Sequence, residues 1–344
     1  MEESNDVENT EEKVWEKLKE KEEIIEIDSV HQFIEKVHGF TQKESKSSFF
    51  YRGEGTLFKT SLPSIFRNKG LFENEKKITN DAMSAGAKDL KRENTNFDII
   101  SKIQHHKGIT RMLDVTTNAL TALFFASSTA EIDGDMGSVQ VYFSTDDGTK
   151  KFEDNYDHIK EARIKSFTSD TAEVLSTLAF LTTDEKEDLT KDAYVKIGKD
   201  ENERIFQSNA ARQLLGEVRR RIPAFEDRII PIDLFRPIFV IPSQNDERIT
   251  RQDGAFLVIG LDIVHEANVH EKKLSYYETQ KKYTQEVFES LRVKEDDKPV
   301  RFLITSKKVK KKLQNELASL GIHAGKIYAD LDHISEYLKS KYSE

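Results

Sequence analysis

Cysteine is absent from the 344 residues. Structural disulfides, thiol nucleophiles and thiolate-bound zinc are therefore excluded, and the chain suits a reducing compartment. Proline is scarce at 6 residues, and Pro223, Pro231, Pro237 and Pro242 fall close together, breaking that stretch into short extended pieces. No apolar run approaches the ~20 residues that a membrane-spanning helix needs, so no membrane partner is expected. Met1–Glu12 is acidic and polar, without the basic and apolar regions of a secretory leader. The P-loop, the dinucleotide-binding glycine fingerprint and the nucleophile elbow are missing too. So is an excess of basic charge: a formal net charge of -9 argues against a general binder of nucleic-acid phosphates and leaves room only for a local basic groove. A cytoplasmic protein is the expectation from these absences.

What is present suits a folded chain, with 37% hydrophobic and 9% aromatic residues. Residues 1–23 read as an acidic flexible tail with a short helix carrying Val14, Trp15 and Leu18. Residues 24–344 read as one domain. Strands are expected at Ile24–Ile27, Ser48–Arg52, Gly137–Phe143, Phe239–Ile241, Ala255–Ile259, Val300–Thr305 and Ile327–Tyr328. Helical spacing marks Val30, Phe33, Ile34 and Val37, then Lys76–Arg92, Phe97–Gln104, Ser169–Leu181 and Asn209–Arg220. Asn118–Ala130 is apolar nearly all round and so reads as a buried helix. A later helix, capped by Thr305 or Ser306, carries the stripe Val309, Leu313, Leu317, Leu320 and closes at Gly321. A last one covers Leu331–Tyr342, and Asp184–Asp192 reads as a charged, exposed stretch. Strands and helices mix without regular βαβ alternation. The fold class is α+β: a single mixed domain, with short strands in a central sheet, split or whole, surrounded by helices.

Two blocks concentrate polar groups against apolar neighbours, which requires partners or a ligand. The first is Phe49-Phe50-Tyr51-Arg52-Gly53-Glu54-Gly55. The second is Gln104 to Thr116, with His105, Thr110, Arg111 and Asp114, running into Asn118–Ala126. Arg52 at the end of an apolar strand is either a structural ion pair, with Asp114 as the candidate partner, or an anion clamp beside Gly53. His105 is a satisfied histidine or a general base. Adjacent histidines point apart on a strand or a helix, so no metal site is expected at His105-His106. A third cluster, Arg248 to Phe256, places Gln252 before an apolar strand. The run Lys307–Lys312 reads as a lysine coat over a helix rather than a nucleic-acid patch.

These blocks, in this order, resemble the FRG-domain family of bacteria and phages. The resemblance rests on Tyr51-Arg52-Gly53, Leu62-Pro63-Ser64-Ile65-Phe66-Arg67, the Gln-His…Thr-Arg-x-Leu-Asp-x-Thr block, the Asn118–Ala126 helix and the Gln252-x-Gly-Ala-Phe cluster. The family usually reads Gln-His-x-Gly-x-Pro-Thr-Arg; here the glycine falls one place later, at Gly108, and Ile109 replaces the proline.

The layout is also similar, by analogy, to the ADP-ribosyltransferase fold. That similarity implies NAD as the substrate, held by Tyr51, Arg52 and Gly53 with Thr110 and Arg111. Thr116 and Phe124 would stand near the ring, and Gln252 would hold the third motif's place. His105, Asp114, Gln252 and Glu54 are the catalytic candidates, since no clear glutamate occupies that third motif. The implied protein is an ADP-ribosyltransferase or NAD-cleaving effector in bacteria–phage conflict, with a nucleotide-like small molecule as ligand and a protein or nucleic acid as acceptor. Two alternatives stand beside it. One is a non-catalytic sensor or interaction module with a buried polar network. The other is a nucleic-acid-acting protein with His105 as base and the arginines as phosphate clamps.

Overall fold

The computed structural model describes residues 14–43, 47–57, 61–128, 135–144, 161–197, 208–226, 229–243, 247–262 and 274–328, with short pieces beyond. After a helical stretch over 14–21 come β1 (Glu23–Glu26), α1 (Val30–Lys43) and β2 (Ser48–Glu54). A 3-10 turn at Ser64–Arg67 leads to α2 (Glu75–Ala85), α3 (Asn96–His105), β3 (Met112–Thr116), α4 (Ala119–Ser127) and β4 (Gly137–Ser144). Then follow β5 (Arg163–Ser166), α5 (Asp170–Thr177), α6 (Thr183–Ile197), α7 (Asn209–Arg219), β6 (Ile238–Ile241), α8 (Glu247–Arg251) and β7 (Gly254–Val258). The order closes with α9 (Tyr276–Leu291), β8 (Lys294–Glu295), β9 (Lys298–Ile304), α10 (Lys307–Ser319) and α11 (Ala324–Ile327). The fold is α+β.

The strands form one mixed sheet in the order β1-β9-β4-β2-β3-β7-β6-β5, with β8 paired to β9 off that path. The outermost pairs, β1 with β9 and β5 with β6, are parallel; the pairs between them are antiparallel. One joint differs from the rest. β2 pairs with β4 through seven residues and β3 with β7 through five, but β2 meets β3 only at Tyr51↔Thr116.

The core follows from strand alternation, which sends successive side chains to opposite faces. On one face Phe50, Leu113, Val115, Tyr142, Phe239 and Leu257 run continuously across the joint and pack under α9. The other face is divided. Tyr51, Val139, Val141 and Phe302 pack beneath α1, α4 and α10, whereas Met112, Phe256, Val258 and Val240 pack beneath α3, α5, α6 and α7. The division lies where β2 and β3 separate, between α4 and α3.

Helix α4 fits this position because its seat is made of glycine. A Cβ on Gly53 would stand 1.8 Å from the Ala122 carbonyl oxygen, and one on Gly137 would stand 2.0 Å from that of Ala126. Asn118 caps the helix, its side chain accepting from the Leu120 and Thr121 amides.

Several expectations need correction. Asp184–Asp192 is not an exposed stretch but lies in α6, and it buries Lys186, Leu189 and Thr190. Ile327–Tyr328 is not a strand, since Ile327 ends the short helix α11. Leu320 lies beyond α10 and is 58% exposed, so the apolar stripe stops at Leu317. β3 and the 16-residue α9 were not anticipated. α9 was legible from the capping box Ser275-x-x-Glu278, with Tyr283, Val287 and Leu291 at helical spacing after it. The expected Leu331–Tyr342 helix lies largely outside the described residues. Leu18 and Glu22, in the acidic N-terminal stretch, are buried.

Candidate functional site

A cavity of about 260 Å³ occupies the division between the two half-sheets. Tyr51, Arg52 and Gly53 of β2 form one wall, and Asp114, Val115 and Thr116 of β3 form the facing one. Gln104, His105 and Lys107 close it from the end of α3, Phe125 from α4, and Arg248, Ile249 and Gln252 from α8. Gly254, Ala255 and Phe256 at the start of β7 complete it. Among the described residues the lining contains three cationic side chains, Arg52, Lys107 and Arg248, and one carboxylate, Asp114.

Arg52 spans the joint. Its Nε donates to Glu54 Oε1 at 3.0 Å and its Nη1 to the Asp114 main-chain oxygen at 2.8 Å. The ion-pair partner is thus Glu54, with Asp114 engaged through its backbone. Burial works against the guanidinium charge, but the carboxylates of Glu54 and Asp114 outweigh it and raise the pKa above the ordinary value. Nη2 has no acceptor among the described residues and is not shut away from solvent, and Arg52 is one of the residues that line the cavity. Glu54 is 6% exposed and saturated: Ser61 Oγ donates to it at 2.7 Å and Gln140 Nε2 at 3.2 Å. Gln140 in turn accepts from the Tyr142 hydroxyl at 2.8 Å, and burial pushes that phenol up to about 12. Tyr51 is raised to about 12 for the same reason.

Asp114 is exposed, and its Oδ2 accepts from Gln104 Nε2 at 2.5 Å. Thr116 donates to the Gln252 carbonyl at 2.7 Å and accepts from the Asn118 amide at 3.0 Å, tying β3 to the loop before β7 and to the cap of α4. Gln252 Nε2 reaches the Ile327 carbonyl at 3.4 Å. Arg248 donates to the His105 carbonyl at 3.4 Å and lies 5.9 Å from the centre of the Tyr328 ring.

Of the residues singled out from the sequence, Tyr51, Arg52, Gly53, His105, Asp114, Thr116 and Gln252 meet at this cavity. Four do not line it. Glu54 and Thr110 stand behind the wall as hydrogen-bonding partners. Phe124 faces the core, where it packs edge-on to Tyr328 at 6.0 Å, and its neighbour Phe125 takes the cavity position. Arg111 points away into a buried trio: Nε and Nη2 grip Glu75 at 2.9 and 2.6 Å, and Lys186 joins the same carboxylate at 2.5 Å. Gly53 has a structural use that the sequence did not reveal, since its missing side chain makes room for α4 rather than for a ligand alone.

The lining also includes Gln104, Lys107, Phe125, Arg248 and Ile249, to which the sequence assigned no site role. Lys107 had a signal. It stands where the family pattern carries glycine, and its φ of 61° is the left-handed conformation that glycine adopts without strain.

Residues 47–134 match the family model of the FRG domain. This chain carries an FRG domain. The FRG match contains β2, α3, β3 and α4, hence both facing walls of the cavity, while α8 and β7 complete it from outside the matched segment. No curated protein and no solved structure matches the chain.

Among the described residues no helix is long and apolar enough to cross a membrane.

Proposed function

We propose that the cavity binds a nucleotide-like ligand, with NAD as the first substrate to test. The observation that carries this reading is the local charge: among the described lining residues, three cations stand against one carboxylate, in a chain of formal net charge -9. A phosphate is drawn to such a site, and the open Nη2 of Arg52 supplies a directed donor for it. Phe125, Ile249, Val115 and Phe256 give apolar surface for a ring.

In NAD cleavage the bond between ribose carbon and nicotinamide nitrogen breaks, and its electron pair leaves with the neutral nicotinamide. The ribose carbon gains positive character, then takes an oxygen from water or from an acceptor, which gives up a proton. Among the described residues Asp114 is the lining carboxylate that can face that positive charge, because Glu54 is enclosed by Arg52, Ser61 and Gln140. On this reading the FRG domain is an NAD-cleaving or ADP-ribosyl-transferring effector, and bacteria–phage conflict is the setting that the family resemblance suggests.

The test is nicotinamide release by the purified chain, followed with NAD labelled in the nicotinamide ring. Wild type is expected to release it, with Asp114→Asn slower by roughly a hundredfold, as for loss of one electrostatic stabiliser. A wild type that neither binds nor cleaves NAD would overturn the reading. One observation favours a second reading, a non-catalytic sensor: two of the three Arg52 nitrogens are already spent inside the fold. Ligand binding without turnover would select it.

A further inference from the structure

The open groups of the cavity are set by a chain of donors and acceptors that starts outside it. The Thr110 amide donates to Ser64 Oγ at 3.0 Å, while the Thr110 carbonyl accepts from Ser64 Oγ at 3.3 Å and from the Ile65 amide at 3.2 Å. Thr110 is thereby fixed by its main chain. Its hydroxyl accepts from the Met112 amide at 3.1 Å and has one proton to give, which goes to Gln104 Oε1 at 2.6 Å. With its oxygen so held, the Gln104 amide can only turn its NH₂ toward Asp114 Oδ2, which it meets at 2.5 Å. The reverse orientation would set two acceptors against each other. One carboxylate oxygen is therefore tied down, and Oδ1 remains as an acceptor on the exposed side chain.

We infer that Thr110 and Gln104 are positioning residues for a sugar–phosphate subsite made of Arg52 Nη2 and Asp114 Oδ1. Both residues line the one cavity, and the Asp114 carboxylate is close enough to act on the guanidinium charge of Arg52. Together they offer an anion donor beside a hydroxyl acceptor. That pair fits a phosphorylated sugar that keeps its ring hydroxyls, and it fits poorly a free phosphate or a sugar lacking the hydroxyl. The subsite extends the nucleotide reading above and rests on it for the identity of the whole ligand, though not for the sugar preference itself. In that reaction the hydroxyl–carboxylate bond would strengthen as charge develops on the ribose.

Calorimetric titration of the full chain with ribose 5-phosphate and with 2-deoxyribose 5-phosphate tests it. Wild type is expected to prefer the ribose form by about tenfold or more, the cost of an unmet bond to a charged group. Thr110→Ser should keep the preference, whereas the isosteric Thr110→Val, which lets the Gln104 amide turn, should bring the two affinities together. If Thr110→Val does not fold, Gln104→Met carries the same test. Equal affinities in wild type, binding of neither sugar, or an undiminished preference in Thr110→Val would each overturn the subsite. The two readings fail separately. Sugar preference without NAD binding sinks the nucleotide reading alone, and NAD binding without sugar preference sinks the subsite alone.

Discussion

Arg52 and Arg111 look alike in the sequence, each a guanidinium beside apolar residues and a few positions from a carboxylate. The fold treats them differently. Arg111 is 1% exposed, and all three of its nitrogens are used, two by Glu75 and one by the Ile259 carbonyl at 3.3 Å. Arg52 uses two, and the residue lines a cavity with its third nitrogen still unspent among the described residues. A buried arginine is thus structural or available according to how many of its five N–H groups the fold consumes, and burial by itself does not say which.

The largest effect is expected from removing the carboxylate beneath Arg111. Glu75→Ala strands Arg111 and Lys186 together without an anion, and should cost about 3–5 kcal/mol of unfolding free energy, measured by denaturant titration. Lys186→Met should cost far less, because the trio has one cation more than it needs. Burial already holds that ammonium down at about 8. If the two variants prove equally costly, Arg111 is not anchored by Glu75.

A second trio extends the comparison to pH. Glu22 accepts from Arg292 at 2.9 Å and from Arg301 at 2.6 Å. Burial pushes its pKa up, but the two guanidiniums outweigh burial and hold the carboxyl at about 2, against an ordinary 4.5. A carboxylate depressed in the folded state stabilises it above the unfolded pKa, and loses that stabilisation as pH falls through the folded one. Unfolding free energy should therefore drop by on the order of 3 kcal/mol between about pH 4.5 and 2. In Glu22→Gln that slope should flatten, as read from urea midpoints across the range.

Arg52→Ala should be milder, at about 1–2 kcal/mol, since Glu54 keeps Ser61 and Gln140 as partners. Its larger effect should be on ligand affinity, which is what separates an available arginine from a structural one. A large fall in melting temperature with unchanged affinity would erase the distinction. The smallest effect concerns the cavity rim. Lys107→Gly relieves a left-handed residue and should stabilise by about 0.5–1 kcal/mol, while weakening anion binding slightly, both seen in one thermal-shift series.

Much of the architecture could be read before any coordinates. Periodicity located α1, α3, α4 and α10, and runs of aromatic and branched residues located β2, β4 and β7. The α+β class followed from their irregular alternation. β3 was hidden because its five residues carry Asp114 in the middle, so the apolar alternation never exceeds two turns of the pattern. The site was half legible. Arginine, histidine and aspartate announced themselves against apolar neighbours, but which arginine was spent on Glu75 depends on α2, thirty-six positions away. Phe124 and Phe125 could not be told apart because α4 is apolar on every side. Gln104 opened the second block but was given no role of its own, because its part in the site depends on Thr110 and Asp114 meeting it from either side.

The single pairing of Tyr51 with Thr116 has a mechanical consequence. In the backbone ladder, parting the half-sheets on that line breaks one rung and the reach of Arg52 to the Asp114 carbonyl, whereas a neighbouring joint is held by five or seven residue pairs, although the apolar face under α9 still spans the line. The ladder's weakest line and the cavity coincide. A molecule seated there would act as a rivet between two plates, and amide protons along β2 and β3 would report its arrival by exchanging more slowly on both sides at once.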